Sequence, residues 1–199
     1  VIGDIHQPLH AVSLFSEEFQ PPTGDMGGNK WRITYEYLQQ KYNQLHLLFD
    51  CVGGLWCGYM PHPVTDAYAA DIKQYADEIE KDFPLSSFNE TEISPNFTST
   101  TEFYDIVSGW AYESYSLAKV AYETYPLDSA ISDDAIQWSR QVLRKRIALA
   151  GYRMAHVLSK VDTTINSAPT DNSKDLLAWR IATLSAVVFG VVAVVLAIV

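Results

Sequence analysis

Cysteine, histidine and basic residues are all scarce in this chain. Of 199 residues, two are cysteine, five are histidine and 14 are Lys or Arg, against 24 Asp or Glu. The formal net charge of −10 excludes a protein that grips nucleic acid through a generic basic surface, because acidic excess repels phosphates. Two cysteines allow at most one bridge. With 10 glycines and nine prolines the chain is not collagen-like. A hydrophobic share of 48%, with 12 Tyr and five Trp, excludes a disordered one. No internal repeat interrupts the body of the chain. No methionine opens it: the first residue is Val1, so an upstream segment is expected. Charge is missing altogether from Ile181 to Val199.

That last absence has the length of a bilayer span, roughly 17–25 residues. Only Thr183, Ser185 and Gly190 within it are not strongly apolar, and a buried core helix would need amphipathic breaks. The expectation is a C-terminal transmembrane helix over 181–199. A GPI-attachment signal near Asn172–Ser173 is the other anchored reading. Residues 162–180 read as a polar linker. Asn89-Glu90-Thr91 and Asn96-Phe97-Thr98 are N-glycosylation sequons, which beside such a tail place the body outside the cell or in a lumen. Cys51 and Cys57 flank Gly53-Gly54, and an oxidising compartment favours a bridge between them.

The body, residues 1–161, reads as all-α with an irregular front. Pro8 interrupts the first 11 residues, and Pro21-Pro22 and Gly27-Gly28-Asn29 mark 12–30 as loop. Trp31, Ile33 and Tyr35 alternate as in a short strand. Helices are expected over Leu38–Val52, Val64–Lys81, Ser99–Tyr125 and Ser132–Val161, with a loop carrying both sequons at 83–99. Trp110, Tyr115 and Tyr122 fall at helical spacing and are expected in the core. Arg140, Arg144, Lys145 and Arg146 read as a solvated helix flank. His62, between two prolines, reads as a surface residue, and His156 as structural.

Three of the five histidines lie in two short motifs with aspartates: Gly3-Asp4-Ile5-His6-Gln7-Pro8-Leu9-His10, and Asn43-Gln44-Leu45-His46-Leu47-Leu48-Phe49-Asp50. His46 and Asp50 are i and i+4 and share a helical face. Imidazole nitrogen and carboxylate oxygen form an ordinary zinc ligand set. In the first motif, regular helical spacing puts His6 and His10 on one face and turns Asp4 about 120° away from His10. The residues alone point to a metal site and leave its membership open.

The octapeptide, followed by Gly27-Gly28-Asn29 and then Asn-x-Leu-His-x-x-x-Asp, resembles the S1/P1 nuclease family. Trp110-Ala-Tyr-Glu-Ser114 and Ala150-Gly-Tyr-Arg-Met-Ala155 resemble it too, so the likeness spans residues 1 to about 160. It implies a mainly helical phospholipase C/P1 nuclease-like fold and a zinc-dependent phosphoesterase. The substrates implied are single-stranded DNA or RNA and 3′-nucleotides. The apolar tail is similar to the membrane-anchored 3′-nucleotidase/nuclease branch, and a monomer is expected.

The resemblance implies roles residue by residue. Asp4 matches an aspartate that bridges two of the family's three zincs and so serves catalysis. His10, His46 and Asp50 match the ligands of the remaining zinc, and His6 and Asn29 match motif residues beside the metals. On this view Asp4 and His10 point apart because they serve different ions. The family's N-terminal tryptophan and early histidine and aspartate ligands would precede Val1. The expectation is therefore the later part of a larger domain, with one complete zinc site and half of a two-metal site. Tyr35, Tyr37 and Phe15 are candidates by type for stacking bases, and Glu113 for a buried group behind the ligands. The rival readings are a membrane-tethered metal-binding or adhesion domain without catalysis, and a relative of zinc phospholipase C.

Overall fold

A computed structural model describes residues 1–57 and 61–165. The apolar tail and most of the linker lie outside the described residues. Among the described residues, no helix is long and apolar enough to cross a membrane.

Two long helices, α4 (Thr100–Thr124) and α5 (Asp133–Ile165), dominate the architecture. The start of α4 is fixed by its cap: Ser99 Oγ accepts from the Glu102 N–H, and the Glu102 carboxylate accepts from the Thr98 N–H and hydroxyl. Its inner face is Trp110, Ser114, Ala118 and Ala121, and three of those four are small. They let two 3-10 turns, Asp4–His6 and Pro8–Ala11, lie directly against the helix. Asp133 and Asp134 sit in the first turn of α5, where carboxylates complement the helix dipole. Helix α2 (Asp66–Asp82) buries Ile72, Ala76 and Ile79 on one stripe and packs on α5.

The fold is mainly helical, as expected, but it is not all-α. Strands β1 (Arg32–Tyr37) and β2 (Gln40–Gln44) form a hairpin, and β3 (Ser129–Ala130) pairs parallel to β1, giving the order β2-β1-β3. The helix expected from Leu38 begins only at Leu45, as α1 (Leu45–Asp50). Leu38 and Gln39 both take positive φ, 50° and 67°, and reverse the chain, so residues 40–44 pair with β1 instead of winding. The expected 83–99 loop contains a 3-10 turn, Leu85–Ser87, and the short helix α3 (Glu90–Ile93). Both sequon asparagines are exposed there.

The core lies where the hairpin and α1 meet α4 and α5. Leu9, Ile33, Tyr42, Leu45, Leu48, Phe49, Ala118, Tyr125 and Ile136 are among its buried members. Burying the Leu, Ile and Phe side chains among them stabilises by roughly 1.5–3 kcal/mol each. Trp31 Nε1 donates to the Tyr125 carbonyl, and the Tyr125 hydroxyl to the Ala135 carbonyl, which ties the residue before β1 and the C-cap of α4 to the first turn of α5. Cys51 and Cys57 are bridged. Trp110 is core, but Tyr115 is 39% exposed and Tyr112 69%, since α4 keeps one aromatic face turned outward.

Candidate metal centre

The front octapeptide is not one helix. Gln7 is extended, with φ −78° and ψ 119°, between its two 3-10 turns. That single residue breaks the helical phase, so His6 and His10 do not share a face. His6 turns into the protein and is 2% exposed. Its Nδ1 lies 2.6 Å from the Ile2 carbonyl, and its Nε2 lies 2.8 Å from Arg153 Nη1. A carbonyl only accepts and a guanidinium only donates. His6 is therefore neutral, protonated on Nδ1, with its remaining lone pair taken by Arg153. Burial, then the charges of Arg146 and Arg153, lower its pKa to about 3. His6 has no nitrogen left for a metal.

His10 turns the other way. Its Nδ1 lies 2.9 Å from Asp4 Oδ1 and its Nε2 3.3 Å from Asp50 Oδ1. Asp4 and His10 are thus in contact, against the divergence that regular helical spacing predicts. Asp50 Oδ2 is 3.3 Å from His46 Nε2, and the two imidazoles stack with centroids 5.0 Å apart. His10, His46 and Asp50 each offer a ligand atom within 4.8 Å of the others.

The backing of each ligand decides which atom faces inward. His46 Nδ1 donates to the Gly27 carbonyl at 2.7 Å, so its Nε2 carries the lone pair. His10 Nδ1 faces the Asp4 carboxylate and carbonyl, which leaves Nε2 inward as well. Gln7 Nε2 donates to Asp50 Oδ1 at 2.9 Å, while Gln7 Oε1 accepts from the Leu9 N–H. Such outer partners fix tautomer and orientation in metal sites. Two imidazole nitrogens and one carboxylate, all pre-aimed, fit a zinc ion. Burial pulls the His10 pKa down, but Asp50 and Asp4 more than offset it and raise it above 6.5.

The loop at 24–29 forms the rear wall. His46 N–H donates to the Gly28 carbonyl, and Leu45 N–H to the Trp31 carbonyl, so the start of α1 is seated on this loop. Gly27 has φ +62°, and a Cβ there would lie 2.4 Å from the Leu9 carbonyl oxygen. Asn29 donates its side-chain amide to the Met26 carbonyl and so braces its own turn.

Beside His6 lies an ionic cluster of two buried arginines and a half-buried glutamate. Glu113 accepts from Arg153 through both oxygens at 2.7 Å and from Arg146 at 2.6 Å. Arg146 also donates to the carbonyls of His6 and Trp110 and to Ser114 Oγ, and Ser114 donates to the Ile5 carbonyl. Arg153 also donates to the Glu92 carbonyl and stacks over Trp110 at 4.8 Å. Burial acts to raise the Glu113 pKa, but the two arginines outweigh it and hold it below 4.5. The expectation for Glu113 is a buried group behind the ligands; its side chain is instead 40% exposed and touches Arg146 and Arg153, not the ligand candidates. The solvated-flank reading of 140–146 fails at Arg146, which is 6% exposed. It fails also at Arg140, which donates to the Gly53 carbonyl and stacks on Tyr37 at 4.5 Å. That contact engages Tyr37, one of the stacking candidates. His156 is structural, 3.1 Å from the Pro95 carbonyl.

Sequence reasoning missed Gln7, Asp25, Arg146 and Arg153. Gln7 and Arg153 lie inside motifs already singled out, and membership of those motifs was the available signal; for Asp25 and Arg146 none was.

Comparison with known proteins bears on the same residues. The sequence model of the family described as S1/P1 Nuclease matches residues 1–162. Nuclease S1 of Aspergillus oryzae (strain ATCC 42149 / RIB 40) is 28% identical over 163 residues, covering 78% of this chain and 49% of that protein. The chain thus spans about half the length of that relative. No solved structure matches it.

Proposed function

This chain belongs to the S1/P1 nuclease family, and from that premise we propose that it is a zinc-dependent phosphoesterase acting on single-stranded nucleic acid and 3′-nucleotides. The observation that carries the reading is the convergence of His10 Nε2, His46 Nε2 and the Asp50 carboxylate, each held from behind. Zinc held there supplies Lewis-acid chemistry for hydrolysis of a phosphate ester, activating water and neutralising phosphate charge. The chain's own residues do the positioning. Gly27 and Asp4 hold the Nδ1 protons of His46 and His10, so both rings keep their Nε2 lone pairs inward. Gln7 fixes the rotation of the Asp50 carboxylate. Asp4, beside His10 and partly exposed, is assigned as a ligand to further zinc as well as the orienter of His10. Acidic charge over the rest of the surface limits binding to the site, where the cation supplies the attraction for phosphate.

The tail at 181–199 is assigned as a membrane anchor with the glycosylated body on the outer or lumenal side. The test uses the full-length protein: zinc content and hydrolysis of 3′-AMP and a single-stranded oligonucleotide, with and without His46→Ala. Loss of zinc and of at least 100-fold in activity is expected. Unchanged zinc content would sink the assignment.

A further inference from the structure

A buried carboxylate outside the ligand set lies behind the loop that backs His46. Asp25 is fully buried, 0% exposed, yet it belongs to no motif that named a metal ligand. Its carboxylate accepts from the N–H groups of Leu14, Gly27 and Gly28 at 2.8, 3.1 and 2.9 Å, and from the Tyr122 hydroxyl at 2.6 Å. A buried carboxylate is costly unless its lone pairs are filled; here these four donors, with the Ser13 hydroxyl farther off at 3.5 Å, fill them. Two of the donors belong to Gly27 and Gly28, the residues whose carbonyls seat His46. Gly27 O accepts His46 Nδ1–H, and Gly28 O accepts the His46 backbone N–H. Asp25 therefore grips, through the Gly28 N–H, one edge of the Gly27–Gly28 peptide, whose other edge, the Gly27 carbonyl, grips the histidine ring. Tyr122 lies on α4, so the same carboxylate locks the loop to the long helix. Burial and the neighbouring Asp25 carboxylate both raise the Tyr122 pKa, which keeps its hydroxyl a donor.

We propose that Asp25 is a positioning residue: through Gly27 and Gly28 it sets the Nδ1–H tautomer of His46 and so makes Nε2 available to the metal. The inference rests on His46 being a ligand, but the tautomer itself is a property of the metal-free protein. The physical step is short. Without Asp25, the 24–29 loop loses the acceptor that aligns its successive amides, and Gly27 O leaves its place 2.7 Å from His46 Nδ1. The ring then distributes its proton over both nitrogens, and part of the population offers the metal an N–H. His10 is the internal control, because its Nδ1 is backed by Asp4 and does not depend on this loop.

The experiment is nitrogen-15 NMR of the imidazoles in the metal-free, full-length protein, for wild type, Asp25→Asn and Tyr122→Phe. Zinc titration of the same samples against a competing chelator accompanies it. Wild type is expected to show His46 protonated on Nδ1. Asp25→Asn should show a mixed pattern at His46, an unchanged one at His10, and zinc affinity lower by about 10–100-fold. Tyr122→Phe removes one donor and should shift the His46 pattern in the same direction by less. Where Asp25→Asn does not fold, Tyr122→Phe decides alone. An Nε2–H tautomer in wild type, or an unchanged His46 pattern in the folded variants, overturns the inference. Zinc binding that ignores His46→Ala while the tautomer still follows Asp25 defeats the zinc reading and leaves the positioning role standing.

Discussion

Acidification should destabilise this protein well before its carboxylates are protonated, and His6 is the reason. In the folded chain its pKa is about 3, against 6.5 unfolded, because the ring is buried and faces Arg146 and Arg153. Between those values the unfolded chain binds a proton that the folded chain refuses, so stability falls as pH falls. At about 1.4 kcal/mol per pH unit, the descent from pH 6.5 to 4.5 costs up to about 3 kcal/mol, a large part of a typical total of 5–15 kcal/mol. Two other groups do not confuse that window. Glu113 is held below 4.5, so its contribution is lost only at lower pH. His10 is raised above 6.5, so its contribution is complete below 6.5 and lost above it. His6→Asn replaces the ring by an amide that can donate and accept but does not titrate. The assay is the urea midpoint of the metal-free protein at half-unit steps from pH 7 to 4.5. The variant should start less stable at pH 7 and then stay nearly flat while wild type falls. Parallel curves for the two proteins would refute the argument, since they would show His6 titrating normally or not at all.

Two further outcomes follow from the rear and side walls of the centre. Gly27→Ala places a methyl 2.4 Å from the Leu9 carbonyl oxygen at φ +62°; it should cost about 2 kcal/mol or more, read as a lower Tm, whereas a neutral effect would show that the loop is not packed as described. Gln7→Leu removes the donor to Asp50 Oδ1 and should weaken zinc by about 10–100-fold in chelator competition while leaving the far-ultraviolet circular dichroism unchanged; equal affinity would mean that Asp50 needs no orienter.

The parts of the fold that were legible are those where local and global signals agree. Helix α4 runs from Ser99's cap to the break at Pro126, α2 follows an amphipathic stripe, and α5 starts at the acidic pair Asp133-Asp134. The hairpin was hidden because its turn is Leu38-Gln39, not Asn-Gly or Asp-Gly, so nothing local announces positive φ. The residues 40–44 then look helical only because they precede a helix. The burial of Arg146 was hidden for a related reason. A run of basic residues on a helix is usually solvated, and only the arrival of Glu113 from another helix makes burial affordable. The triad that the structure brings together, His10, His46 and Asp50, was legible through its motifs, whereas its geometry was not: regular spacing misplaced both the His6–His10 and the Asp4–His10 relations at the single extended residue Gln7.

That extended residue also explains how two histidines four apart are sorted into different chemistry. Had the octapeptide been a helix, His6 and His10 would compete for one ion. Instead the turn at Gln7 delivers His6 to α5, where Arg153 donates to its Nε2 and Arg146 holds its carbonyl. Two cations against the single carboxylate of Glu113 leave that pocket with a positive excess, which opposes both a proton and a metal dication at His6. On the other side of the same turn, Asp4 and Asp50 flank His10 and favour a cation there. The long helices therefore do more than support the front motif. By supplying arginines to one face and leaving carboxylates on the other, they decide which histidine is structural and which is free to be a ligand.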